Sequence, residues 1–111
     1  MEYSELLAWA DTPFSERSAY FIDHWFSALD SKNEELDRLA IYLAKSFVKN
    51  EISFDIANTL FNQIIPVAEF ENVPDIFWRF YIAFEDFETF ENPNIEALPR
   101  VKSKLEQVNA I

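Results

Sequence analysis

The absence of glycine is the feature that most constrains the fold of this 111-residue chain. Tight β-hairpin turns need residues at positive φ, which glycine adopts most easily, and parallel α/β folds usually place glycine at their crossovers. A chain without glycine is therefore poorly suited to sheets and well suited to helices. The same absence excludes the glycine-rich phosphate-binding loops of dinucleotide-binding and nucleoside-triphosphate-binding proteins.

The apolar content of the chain predicts one folded core. Hydrophobic residues make up 50% of the sequence, and twelve of them are phenylalanine. This content separates the chain from acidic disordered segments, and its length corresponds to about one domain. We therefore expect residues 1–111 to form a single all-α domain, a compact antiparallel bundle of five to six helices with short connections.

Apolar residues spaced three and four apart, together with capping residues, predict where the first helices begin. The first helix covers residues 4–10. The second is expected to begin at Pro13, a favoured first helical residue, with Thr12 as its N-cap. The third begins after Ser31, which together with Glu34 fits a capping box.

The second half of the sequence predicts a central helix. A fourth helix is expected to begin after Ser53, its predicted N-cap, and to end or bend at Pro66. A fifth covers residues 75–90, and because its first half is apolar on every side, we expect neighbours around most of its circumference. The last helix begins after Asn92 and is interrupted or delayed by Pro99.

Residues with catalytic or metal-binding chemistry are scarce. There is no cysteine, and the one histidine, His24, lies among aromatic residues, which favours a buried or half-buried structural role. The Glu-x-x-His motif of bundle-core metal sites is absent, since Phe21 stands three residues before His24. The acidic run Glu85, Asp86 and Glu88 is typical of a solvated helix face. We expect no enzyme activity, catalytic residue, metal site or cofactor.

The net charge predicts the class of partner. Twenty acidic and nine basic residues give a formal charge of −11, which repels nucleic acids and anionic membranes and attracts basic proteins. The N-terminus lacks the basic region of a signal peptide, and no apolar run approaches membrane-spanning length. We expect a cytoplasmic protein that binds a basic protein partner and contacts neither nucleic acid nor membrane.

Acidic residues concentrate in one segment of the chain. Residues 69–96 contain eight acids against one base, Arg79. Aromatic residues lie among these acids, and they fit either of two roles, interface anchors or parts of the core. They are Trp78, Tyr81, Phe87 and Phe90.

Two short stretches carry a resemblance to a known family: Leu43-Ala44-Lys45-Ser46-Phe47-Val48 and, after a turn, Ile52-Ser53. They resemble the helix–turn–helix opening of small bacterial immunity proteins of the colicin D type. Such proteins, like the immunity proteins of contact-dependent inhibition systems, are acidic, helical and cytosolic, and they bind and block a nuclease toxin. The resemblance implies an antitoxin role. It assigns no binding residue, because the matched stretch is mainly scaffold.

Charge and resemblance agree on a first functional hypothesis: an immunity protein that covers the cationic active site of a nuclease toxin. The predicted contact residues are Glu69, Glu71, Asp75, Trp78, Glu85, Asp86, Glu88, Phe90 and Glu91. Three alternatives stay open. A DNA mimic would set its charges in two rows, a helical adaptor would expose an apolar groove, and an enzyme would place His24 and a carboxylate in a deep pocket.

Overall fold

The computed structural model describes residues 3–69 and 72–109, and within these residues the chain forms helices and no strands. The all-α prediction is confirmed, as is the predicted number of helices, since six of those described have seven or more residues and one more has four. The radius of gyration of 13.2 Å is that of a compact domain of this size. The helices are α1 (Ser4–Asp11), α2 (Phe21–Ser27), α3 (Lys32–Val48), α4 (Phe54–Val67), α5 (Asp75–Glu85), α6 (Pro93–Glu96) and α7 (Leu98–Gln107).

The predicted start of the second helix at Pro13 is wrong. A short 3₁₀ turn, Phe14–Glu16, follows Pro13, and α2 begins only at Phe21. Thr12 caps the preceding helix instead, because its hydroxyl donates to the Ala8 carbonyl at 2.8 Å. The Arg17 side chain donates to two backbone carbonyls of this segment and holds it in a non-helical path.

The next helix boundaries follow the sequence more closely. Ser31 precedes α3 but its side chain makes no capping hydrogen bond, so the predicted capping box with Glu34 does not form. The Ser53 hydroxyl accepts from the Ile56 amide at 3.2 Å, which confirms the predicted cap of α4. Pro66 lies in the last turn of α4, and the helix ends one residue later.

Helix α5 occupies the predicted central position, packed against α3, α4 and α7. Its side chains Phe77, Phe80 and Phe84 are fully buried. The helix ends at Glu85 rather than at Phe90, and tight turns over residues 86–90 follow it. The predicted interruption of the last helix is confirmed, since α6 and α7 are separate and Pro99 lies in the first turn of α7.

Two helix N-termini are capped by side chains from other helices. Asp37 of α3 accepts from the Phe77 amide of α5 at 2.9 Å. Asn94 of α6 accepts from the Phe54 amide of α4 at 2.8 Å. These contacts satisfy amides that have no partner within their own helix, and they fix how the helices are positioned against one another.

Candidate partner-binding surface

Helix α5 separates the predicted contact residues into two groups. Asp75 is its first residue and Glu85 its last, so about 15 Å of helix separates them. Glu69 lies in the connection that leads into α5, and Glu71 lies outside the described residues. The predicted acids at or just beyond the C-terminal end of α5 are Glu85, Asp86, Glu88 and Glu91. The structure therefore does not gather the whole predicted set at one place.

The acids at the N-terminal side of α5 are engaged within the protein. Asp75 forms an ion pair with Arg79, one turn further along the helix, at 2.9 Å. Glu69 accepts from the side-chain amide of Asn72 at 3.1 Å, and its own φ of 56° is in the left-handed region. Asp75 is offset by a cation of its own helix, whereas Glu69 keeps its charge and is held by a single neutral amide.

The centre of the second group is Glu88. Its Oε1 accepts from the side-chain amides of Asn58 at 3.0 Å and Asn62 at 2.6 Å, and these two residues are one turn apart on α4. Both donors are neutral, so they fix the carboxylate without offsetting its charge. Nearby, Glu85 accepts a hydrogen bond from Tyr81, and Glu88 acts electrostatically on the same tyrosine. We call these five residues the carboxylate cluster.

Asp86 differs from its neighbours because its charge is offset. It forms an ion pair with Arg100 of α7 at 2.8 Å, and the guanidinium of Arg100 lies 5.5 Å from the centre of the Phe87 ring. Asp86 therefore links the end of α5 to α7. Among the described residues, Glu85, Glu88 and Glu91 form no ion pair with a lysine or arginine.

The aromatic residues of this region divide between the two roles that the sequence left open. Phe90 is 46% exposed and its ring packs against Phe87, with ring centres 4.7 Å apart. Trp78 is half-buried and packs against Tyr81 at 5.3 Å. Phe90 thus presents an exposed aromatic side chain close in sequence to Glu88, whereas Trp78 is largely part of the protein's own packing.

The pKa of the Tyr81 phenol depends on the charge of the carboxylate cluster. The hydrogen bond to Glu85 raises the pKa of Tyr81 from 10.0 to about 12, and burial and the charges of Glu85 and Glu88 act in the same direction. Tyr81 therefore favours the folded state below pH 10, and this contribution is lost as the pH rises from 10 through about 12.

We expect the absorbance difference between wild type and Tyr81→Phe to show a phenol titrating near pH 12. Glu85→Gln should shift this titration back towards 10.0, because the charged acceptor is gone. Circular dichroism recorded at each pH shows the range in which the protein is folded, and only titration data from that range are compared. An unchanged midpoint in Glu85→Gln would show that Tyr81 does not donate to Glu85.

The structure corrects the predicted environment of His24. Its side chain is exposed on α2, not buried or half-buried, because this short helix buries only Ile22 and position 24 points to another side. In residues 3–69 and 72–109, no three histidine or acidic side chains converge as metal ligands. The described helices include none that is both long enough and apolar enough to cross a membrane.

A second acidic region lies at the start of the chain, outside the predicted contact residues. The first 30 residues contain six acids and, apart from His24, a single basic residue, Arg17. Two large aromatic side chains of the same region, Phe14 and Tyr20, are the most exposed large hydrophobic side chains described. The sequence pattern puts Phe14 inside a predicted helix, so it does not predict this exposure.

Comparison of the chain with protein-family models, with curated proteins and with solved structures finds no match in any of the three. Function is therefore inferred from the charges and the geometry of the described residues. The carboxylate cluster offers fixed negative charge, and the exposed ring of Phe90 follows it closely in sequence.

Proposed function

We propose that this protein is an immunity protein, a bacterial cytoplasmic antitoxin that binds a basic nuclease toxin and covers its active site. Nuclease active sites carry positive charge because they bind phosphates. The observation that carries the proposal is Glu88, a carboxylate held in place by two neutral amides. The carboxylate cluster is the centre of the proposed interface.

Fixing a carboxylate with neutral donors favours binding in two ways. The side chain is already ordered, so less conformational entropy is lost when a partner binds. Its charge also remains available for a charge-assisted hydrogen bond with an arginine or lysine, which is stronger than a hydrogen bond between neutral groups. Asp75 and Asp86 provide the contrast, since each is paired with an arginine of this chain.

The exposed ring of Phe90 adds a candidate anchor to this charged surface. Interfaces commonly combine a few buried aromatic anchors with a polar rim that steers association. Phe90 follows Glu88 by two residues and is supported from one side by Phe87. Binding that covers Phe90 would exclude water from one side of the carboxylate cluster.

The arrangement favours a toxin inhibitor over a mimic of duplex DNA. A mimic needs two extended rows of charge, whereas the Glu88 amide donates to the Glu85 carbonyl at 3.1 Å, so these two acids lie one turn apart in a compact patch. The acids at the other end of α5 do not extend this patch into a row, because Asp75 is paired with Arg79.

The proposal expects a nuclease toxin to be encoded beside this protein's gene, and the absence of one would contradict it. The test uses the nuclease domain of that toxin, with nuclease activity and association kinetics as readouts. Wild type should inhibit the nuclease. The triple variant Glu85→Lys, Glu88→Lys, Glu91→Lys should associate about tenfold to a hundredfold more slowly, and its association rate should depend less on salt, because electrostatic steering is lost.

A matched control reverses three exposed acids elsewhere: Glu34→Lys, Glu51→Lys and Glu106→Lys. It changes the net charge equally, so a loss confined to the first triple variant assigns the interface to the carboxylate cluster and the neighbouring Glu91. Glu88→Gln is a finer probe, since its amide oxygen can still accept from Asn58 and Asn62 without a charge. Equal slowing in both triple variants, or no inhibition by wild type, would contradict the proposal.

A further inference from the structure

The segment between α1 and α2 has a fixed conformation although it is mostly non-helical. The indole of Trp9 donates to the Ser18 carbonyl at 3.0 Å. Arg17 donates to the carbonyls of Thr12 and Ala10, at 2.7 and 2.8 Å. Its guanidinium also lies 5.3 Å from the centre of the Trp9 ring. These contacts order the backbone on both sides of the 3₁₀ turn.

This ordered segment presents two aromatic side chains to solvent. Phe14 is 80% exposed and Tyr20 is 72% exposed. Burying a phenylalanine side chain contributes strongly to the free energy of folding. An ordered loop that leaves this ring in water lacks that contribution. The guanidinium of Arg17 lies 5.9 Å from the centre of the Phe14 ring and restricts where that ring can go.

A pocket lies beside Phe14. Its volume of about 300 Å³ is at the lower end of the range for ligand sites and suits one apolar side chain. It is lined by Trp9, Phe14, Arg17, Ser18, Ala19 and Gln63. Phe14, Tyr20 and this pocket together make up what we call the Phe14 surface.

The elements that form the Phe14 surface carry a negative net charge. Glu5, Asp11, Glu16 and Asp23 are exposed, and none of them forms an ion pair within the described part of the chain. Arg17 lines the pocket and contributes one positive charge, so these four acids leave the region with a negative net charge around a pocket that has one cationic wall. An occupant of this surface would therefore gain from carrying positive charge.

We infer that the Phe14 surface docks a protein segment that inserts an apolar side chain into the pocket and carries flanking lysine or arginine residues. Charge complementarity selects this occupant. A second copy of the chain would bring the same acids face to face across a two-fold axis, and anionic membranes are repelled by the same charges. The inference goes beyond the proposed function, because it uses none of the residues of the carboxylate cluster.

The test selects peptides from a random library displayed on phage against the immobilised full-length protein. The selected peptides should share one large apolar residue flanked by basic residues. A synthetic peptide of the selected sequence should bind Phe14→Ser about thirtyfold more weakly than wild type, the loss typical of an anchor residue. Asp11→Lys combined with Glu16→Lys should also weaken its binding.

Ile95→Ser is the matched control, because Ile95 is 63% exposed on α6 and belongs to neither proposed surface. It should bind the peptide as wild type does, and thermal melts should show that both serine variants fold. Selection of acidic peptides, of none at all, or of peptides that bind Phe14→Ser unchanged would overturn the inference. A dimer, or binding to phosphatidylcholine vesicles, that is abolished by Phe14→Ser would overturn it as well.

Discussion

Replacing Phe84 with alanine is expected to lower the free energy of unfolding by about 3–5 kcal/mol. The side chain is fully buried, and its ring centre lies 5.3 Å from Phe47, 5.5 Å from Phe54 and 5.2 Å from Phe61. These rings come from α3 and α4, so Phe84 joins three helices. The loss is a large part of the total stability of a domain, which is about 5–15 kcal/mol.

Urea unfolding followed by circular dichroism measures this loss, and a fall of roughly 15 °C in the melting temperature should accompany it. Phe14→Ala is the matched control, since the same atoms are removed from a side chain that is 80% exposed. It should change the free energy of unfolding by no more than about 0.5 kcal/mol. Similar losses in the two variants would show that the packing of these rings does not stabilise the bundle.

The periodicity of the sequence predicts the core because burial on a helix repeats locally. The apolar residues that recur three and four positions apart along α3 are all buried: Leu36, Leu39, Ala40, Leu43 and Phe47. The predicted helix boundaries are wrong at residues 13–20 and 86–90, where side chains contact the backbone or residues of distant helices. Glu88, for example, is held by residues 26 and 30 positions earlier in the chain. A pattern that extends over a few residues cannot indicate such contacts, because the two partners lie far apart in the chain.

The absence of glycine correctly predicts helices, yet it says nothing about how those helices end. Helix ends commonly need one residue at positive φ, and glycine is the usual choice. Here the left-handed residues are Asn50 after α3, Glu69 after α4 and Asn109 after α7. Asparagine tolerates this conformation better than most residues do, whereas glutamate has no such preference. Glu69 therefore marks a helix end that the sequence pattern does not reveal.

The composition locates the acidic segment, but it does not tell which charges remain uncompensated. The pair of Asp75 and Arg79 has the four-residue spacing of neighbours on a helix and could have been read from the sequence. The pair of Asp86 and Arg100 depends on the tertiary fold. Asn58 and Asn62 also have a four-residue spacing, which was a readable sign of a polar stripe on α4.

The cap on α5 is a half-buried carboxylate, which stabilises the start of the helix while its partial burial disfavours the charged form. Asp37 lies on α3 and accepts hydrogen bonds from the amides of Phe77 and Ile76, at the start of the central helix. Burial raises the pKa of Asp37 above 3.8, and the nearby charge of Asp75 adds to this, whereas the two amides lower it. Burial is the largest of these effects, so the net shift of the Asp37 pKa is upward.

Asp37→Ala is therefore expected to lower the free energy of unfolding by about 1–2 kcal/mol, because the amides at the start of α5 lose their acceptor. Asp37→Asn keeps an acceptor oxygen without a charge and should lose less. The pKa of Asp37 is raised, so its favourable contribution is present below pH 3.8 and is lost as the pH rises through the raised value. Urea unfolding at a series of pH values should therefore show Asp37→Asn gaining stability relative to wild type from acidic to neutral pH. The opposite trend would mean that the two amides outweigh burial and that the cap is strongest as a carboxylate.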